Sequence, residues 1–261
     1  MDADGNPAWP ELFPLAKVEQ LRQIVGPRHF SSQMMLEYIS EERARLDPGA
    51  LHFYDDEFDI RTGKLGDNLI TGVALYWDPS GGRIKSDNSV CVLIYSDDKN
   101  RRAYIHDVRY LTVDDNDMHP LATQCEYVLN LMAKHAIRRI GIEVNGIGNA
   151  LPEILNEVSR KRGHGVVIEK IINSKRKETR ILDAIEPMLT TGRLWCHERV
   201  NGTPLLTEML GWSPMGASIH DDGLDALAGA FTMHPPVVRN STHRPRVIRV
   251  NTAFTLEPRI K

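Results

Sequence analysis

Between Leu69 and Leu111 three apolar runs follow one another, LITGVALYW, SVCVLIY and AYIHDVRYL, each of strand length. The first run ends in Asp78-Pro79-Ser80-Gly81-Gly82, and Asp97-Asp98-Lys99-Asn100 between the second and third is hairpin-turn chemistry. From Pro120 the period changes. Helical spacing over Pro120–His135 gives way to a short apolar strand at Arg139–Val144, then a helix over 149–161 and a strand over Val166–Ile172. A basic-headed helix at Lys175–Leu189, a brief strand at Arg193–Cys196 and helices at Pro204–Leu210 and Asp222–Met233 complete the pattern. Three hairpin-connected strands followed by alternating helices and strands predict a mixed α/β sheet with helices on both faces.

The remainder of the 261 residues divides around that core. Residues 1–67 read as an irregular lead segment with helices near Lys17–Val25 and Ser31–Leu46; residues 68–234 read as the folded domain, and 235–261 as an extended tail. Charge follows the same division. Residues 1–70 carry 7 Lys/Arg against 13 Asp/Glu, whereas residues 235–261 carry 6 against 1, so the net charge of −3 conceals an acidic lead and a basic tail. The tail, with prolines at 235, 236 and 245, suits an arm that contacts phosphates or a partner; the competing reading folds Val247, Ile248 and Val250 back as an edge strand. Hydrophobic residues at 41% and charged residues at 26% exclude fibrous and wholly disordered chains. No apolar run approaches the roughly 18 residues of a membrane span. Cys91, Cys125 and Cys196 share no metal-binding spacing and form no even set, which argues against a disulfide framework.

Chemistry concentrates where carboxylates end core elements. Asp78 closes the first strand, Glu143 closes the apolar strand RIGIEV, and Asp221-Asp222 open the last helix, with Asp225 one turn beyond in a supporting place. Acids at strand and helix ends project from one edge of an α/β sheet, where such folds bind ligands. Converging carboxylates repel unless a cation neutralises them, and oxygen-only donors favour Mg²⁺ or Mn²⁺ over zinc. Two such ions about 3.5–4 Å apart clamp a phosphodiester while one activates water. Each acid also has a plainer reading: Asp78 as a turn residue, Asp221 as a helix N-cap, Glu143 as the partner of Arg138 or Arg139. Lys175, Arg176, Lys177 and Arg180 head the basic helix and are candidate DNA phosphate contacts, against the reading of a solvated face balanced by Glu178 and Asp183. His220, beside the acid pair, is the histidine in a suggestive place. There is no GxxxxGK[ST] or GxGxxG loop for a nucleotide.

LYWDPSGG followed by SDNSVCVLIY, then IGIEVNGIGNALPEIL, NSKRKETRI and HDDGLDALAGAF, resemble the C-terminal part of the large terminase subunit of tailed bacteriophages, the DNA-packaging motor protein. The stretch AWPELFPLAKVEQLRQIVGPRHFSSQMML is similar to that family's linker between ATPase and nuclease. The resemblance implies an RNase H-like fold and a metal-dependent endonuclease cutting concatemeric double-stranded viral DNA. It assigns Asp78, Glu143 and Asp222 as metal-binding acids with Asp221 beside them, and Lys175 as a basic position near the scissile phosphate. It also implies a portal protein and a small terminase subunit as partners, no membrane, and action in the cytoplasm of the infected bacterial host. The family's packaging ATPase has no counterpart in this sequence, so the chain is expected to cut DNA without translocating it. Another RNase H-like enzyme, such as a junction resolvase, and a non-catalytic docking module are the alternatives.

Overall fold

A computed structural model of the chain describes residues 11, 13–15, 17–18, 45–80, 88–114, 116–163, 165–214 and 221–233. The expected helices at Lys17–Val25 and Ser31–Leu46 fall largely outside the described residues, and the Gly81-Gly82 turn, His220 and the basic tail fall wholly outside them.

The three apolar runs form β5 (Gly72–Asp78), β6 (Ser89–Asp97) and β7 (Arg102–Leu111), an antiparallel meander. Beyond it come α1 (Pro120–Lys134), β8 (Arg139–Glu143), α2 (Leu151–Lys161), β9 (Val167–Ile171), α3 (Lys177–Thr190), β10 (Leu194–His197), α4 (Leu205–Gly211) and α5 (Asp222–Met233). Ahead of the meander lie β1 (His52–Tyr54), β2 (Phe58–Asp59), β3 (Lys64–Leu65) and β4 (Asn68–Leu69). Among the described residues the main sheet has seven strands in the order β1-β10-β7-β6-β5-β8-β9. Every neighbouring pair is parallel except the two that β6 makes, so β6 alone runs against the rest. The C-terminal ends of β5, β7, β8 and β9 therefore share one edge. Alternation along the strands splits the core into two layers. Ala74, Tyr76, Val92 and Ile105 face α3, α4 and α5, while Leu75, Trp77, Leu93, Ile140 and Ile142 face α1 and α2. This is the mixed α/β sheet with helices on both faces that the sequence predicts.

Two local readings need correction. The run LITGVALYW is not one strand. Ile70 N–H turns to the Gly63 carbonyl, so Asn68–Leu69 joins a small antiparallel sheet with β2 and β3, and the main sheet resumes at Gly72. The lead segment is also less irregular than expected. Its β1 pairs in parallel with β10, and the Tyr54 hydroxyl meets His106 Nδ1 at 3.0 Å in the buried layer. Strands of two or three residues are too short to show a period-2 pattern, which hides them from the sequence.

α5 (DGLDALAGAFTM) lies across β5 and β6, and its small residues let it approach closely. A Cβ on Gly229 would fall 2.3 Å from the ring of Tyr76, a fully buried side chain of β5. Gly229→Ala is therefore expected to destabilise the protein by about 1–3 kcal/mol through overpacking, outweighing the roughly 1 kcal/mol of helix propensity that alanine brings. Gly165→Ala, where an added Cβ meets nothing within 4 Å, is expected to stay within about 0.5 kcal/mol of the parent. Denaturant unfolding of the two variants checks the contrast, and equal stabilities would refute the close-approach argument.

Candidate active site

The parallel register of β5 and β8 sets Trp77 beside Ile142, so the next residue of each strand, Asp78 and Glu143, leaves the sheet at the same edge and on the α5 face. Each carboxylate then has its own environment. Glu143 is held by neutral donors: Tyr76 Oη at 2.8 Å and Asn173 Nδ2 at 2.8 Å donate to Oε2, and Asn145 Nδ2 donates to Oε1 at 2.7 Å. Asn173 also donates to the Tyr76 hydroxyl at 3.0 Å, closing a triangle at the ends of three adjacent strands. Asp222 accepts from the backbone N–H of Asn88 at 3.0 Å and from its side-chain amide at 3.1 Å, both on Oδ2.

Cations of α3 reach into the same edge. Lys177 Nζ lies 2.6 Å from Asp221, 3.8 Å from Asp222 and 3.7 Å from Asp225. Arg180, one turn further and buried, donates through Nε to Asp225 Oδ1 at 2.9 Å and through a terminal nitrogen to the same oxygen. Five acids thus gather around two cations. Asp78 registers the imbalance: burial, then the charges of Glu143 and Asp225, push its carboxyl up to about 8, although Lys177 and Arg180 pull the other way. Burial likewise pushes the Asp225 carboxyl up, against the hydrogen bond and charge of Arg180.

Asp78, Glu143, Asp221 and Asp222 therefore meet at one edge, as the sequence suggests, but they do not form a closed coordination set. Among the described residues no three acidic, histidine or cysteine side chains are already drawn together closely enough to hold a metal ion. Asn88 draws Asp222 one way and Tyr76 with Asn173 draws Glu143 another. The basic residues separate in an unforeseen way. α3 begins at Lys177 rather than Lys175, with Arg176 in extended conformation ahead of it. Lys175 stays at the surface, 3.6 Å from Asp183. Lys177 and Arg180, spaced to share the face of α3 that packs on α5, turn into the acids. Arg180 is consequently an interior ion-pair partner and not a surface cation. Sequence reasoning missed Tyr76, Asn88, Asn145 and Asn173. Asn145 and Asn173 left a trace, the first two positions beyond Glu143 and the second following the strand next to it.

Residues 78–194 match the family described as "Terminase Bacteriophage T7, Ribonuclease H-like domain". This stretch of the chain is similar to a terminase RNase H-like domain. Solved structures similar to the chain include the terminase nuclease domain of human cytomegalovirus, Mn-soaked and inhibitor-bound (12% identity, TM-score 0.49, covering 75% of this chain and 95% of that one). The large terminase nuclease domain of bacteriophage SPP1 with bound Mn is similar at 16% identity and TM-score 0.42, covering 70% and 96%. The nuclease domain of the large terminase subunit of bacterial virus Sf6 is similar at 12% identity and TM-score 0.45, covering 75% and 97%. No curated protein matches the chain. No described helix is long and apolar enough to cross a membrane.

The crowding of Asp78 has a measurable consequence for stability. An acid whose folded pKa is raised binds a proton on folding, so its stabilising effect is complete below the unfolded value of about 4 and is lost as pH rises toward the folded value. Asp78→Asn is expected to melt a few degrees above the parent at pH 8 in chelator-containing buffer, with the difference vanishing toward pH 4. A difference independent of pH would show that Asp78 does not feel its neighbours.

Proposed function

We propose that this domain is a divalent-metal-dependent endonuclease that cuts concatemeric double-stranded viral DNA during genome packaging. The observation that carries the reading is the carboxylate edge itself, in which Asp78 and Glu143 from adjacent parallel strands face the acids of the α5 N-terminus with too little positive charge among them. Its donor set fits the group that the reading requires. All the donors are hard oxygens, which suit Mg²⁺ or Mn²⁺, and a carboxyl forced toward neutrality by its neighbours marks a place where a cation relieves repulsion. Two bound Mg²⁺ or Mn²⁺ ions would supply a nucleophilic water at neutral pH and neutralise charge building on the phosphodiester.

In this reading Asp78, Glu143 and Asp222 hold the ions, and Asp221 and Asp225 complete the acidic rim. Tyr76, Asn145 and Asn173 fix the Glu143 carboxylate so that it keeps its direction when the charge beside it changes. Lys177 balances the acids through a long side chain that can retract without moving the backbone, after which its ammonium faces a phosphate oxygen. Lys175 and Arg176, ahead of α3, are available to track the DNA backbone. Double-stranded DNA, the portal protein and the small terminase subunit are the corresponding partners, in the cytoplasm of the infected host.

Supercoiled plasmid incubated with the protein is expected to be nicked and linearised in Mg²⁺ or Mn²⁺ and left intact in EDTA, with little sequence preference. Asp78→Asn, Glu143→Gln and Asp222→Asn are each expected to lower the rate by at least about a hundredfold while circular dichroism reports an unchanged fold. Cleavage in EDTA, or folded variants that cut at the parent rate, would overturn the reading.

A further inference from the structure

The N-terminus of α5, which carries Asp222, receives an acceptor from a distant part of the chain. Helix starts leave orphan N–H groups, which a side chain just before the helix ordinarily satisfies. Here the acceptor arrives from another helix. Glu208 of α4, almost fully buried, accepts the Leu224 N–H on Oε2 at 3.1 Å, and the Gly223 N–H is also directed at it. The other oxygen, Oε1, accepts from the Tyr110 hydroxyl at 2.8 Å, and Tyr110 belongs to the end of β7 on the α5 face. Position 223 is glycine for a steric reason. A Cβ there would stand 2.0 Å from the Tyr110 oxygen and 2.8 Å from Glu208 Oε2.

We propose that Tyr110 and Glu208 are positioning residues of the nuclease site, which fix the first turn of α5 against the sheet edge and thereby aim Asp222 at the metal. The inference rests on the nuclease reading. Both Glu208 oxygens are engaged by protein donors, so the residue acts through the helix end and not as a ligand. A buried carboxylate so near Asp222 is an unfavourable choice if stability is its only purpose, because the two charges repel. What the chain Tyr110–Glu208–Leu224 supplies is a link from β7 to the first turn of the helix that begins with Asp222. Asn88 holds the Asp222 carboxylate itself through its backbone N–H and amide. The acid is therefore set both by its own hydrogen bonds and by the backbone that carries it.

The test is Mn²⁺ titration by calorimetry together with plasmid-cleavage kinetics and thermal melts on Glu208→Ala, Glu208→Gln, Tyr110→Phe and Gly223→Ala. Glu208→Ala is expected to weaken Mn²⁺ binding and lower kcat by about tenfold or more, as loss of groups that orient metal ligands does, with KM for DNA unchanged. Tyr110→Phe and Gly223→Ala shift the same two quantities in the same direction by less. Glu208→Gln recovers most of the parent values, because its carbonyl still accepts from Leu224 and its amide donates to the Tyr110 oxygen. In an Asp222→Asn background, Glu208→Ala causes no further loss of Mn²⁺ affinity. Folded Glu208→Ala protein with parent affinity and kcat overturns the proposal, as does Glu208→Gln as impaired as Glu208→Ala, which would make the charge itself the agent. Should Glu208→Ala not fold, Tyr110→Phe and Glu208→Gln decide on the same criteria. A parent protein that cuts while these variants are indifferent overturns the positioning role alone; a parent that neither binds Mn²⁺ nor cuts removes the nuclease reading and this proposal with it.

Discussion

Parallel pairing of β5 with β8 brings two carboxylates to the same end of the sheet, where their charges oppose one another. The pairing is bought with apolar burial on both sides of those strands, since Tyr76, Trp77, Ile140 and Ile142 are all essentially inaccessible to solvent. Asp78 and Glu143 are thus fixed by a core that has no tolerance for a one-residue slip, which would turn every side chain of the strand to the other face. α5 completes the edge because Gly229 admits the ring of Tyr76, and the hydroxyl of that ring is the donor that holds Glu143. Packing and site geometry are here one structure.

Charge arrangement follows from the same packing. α3 and α5 lie side by side, so residues one turn apart on α3, Lys177 and Arg180, meet acids one turn apart on α5, Asp222 and Asp225. The two cations differ in kind. Arg180 is buried in a forked contact with a single oxygen of Asp225, an arrangement expensive to break because it would leave an unpaired interior charge. Lys177 spreads one ammonium over three acids at 2.6–3.8 Å, a looser contact on a flexible stem. The edge therefore has one fixed cation and one that can yield, which is the combination a site for exchangeable positive charge requires.

Much of this was legible in the chain itself. The meander and the helix–strand alternation predict the sheet, and the acid of RIGIEV stands out in an otherwise apolar strand. The acids were legible because strand and helix ends can be located from periodicity. Their partners were not. Tyr76 reads as one more apolar residue of LITGVALYW and Asn88 as a loop residue, since a hydrogen bond across 67 or 134 positions leaves no local pattern. Asn145, two positions from Glu143, reads as a loop residue because nothing in the sequence says which way its amide turns. The basic group KRK could be seen but not divided. Only the start of α3 at Lys177 separates the residue that turns inward from the two that precede the helix. The short strands β1–β4 escaped because two or three residues carry no period, and the Glu208 cap because it joins elements that the sequence keeps apart.

A crystal of the protein soaked in Mn²⁺ and measured at the manganese absorption edge tests the central claim most directly. The account requires anomalous density at the edge formed by Asp78, Glu143 and Asp222, with the Lys177 ammonium withdrawn from Asp222 and the Tyr76 and Asn173 contacts to Glu143 retained. Anomalous density only elsewhere on the molecule, or none at all with Lys177 still seated among Asp221, Asp222 and Asp225, would contradict it.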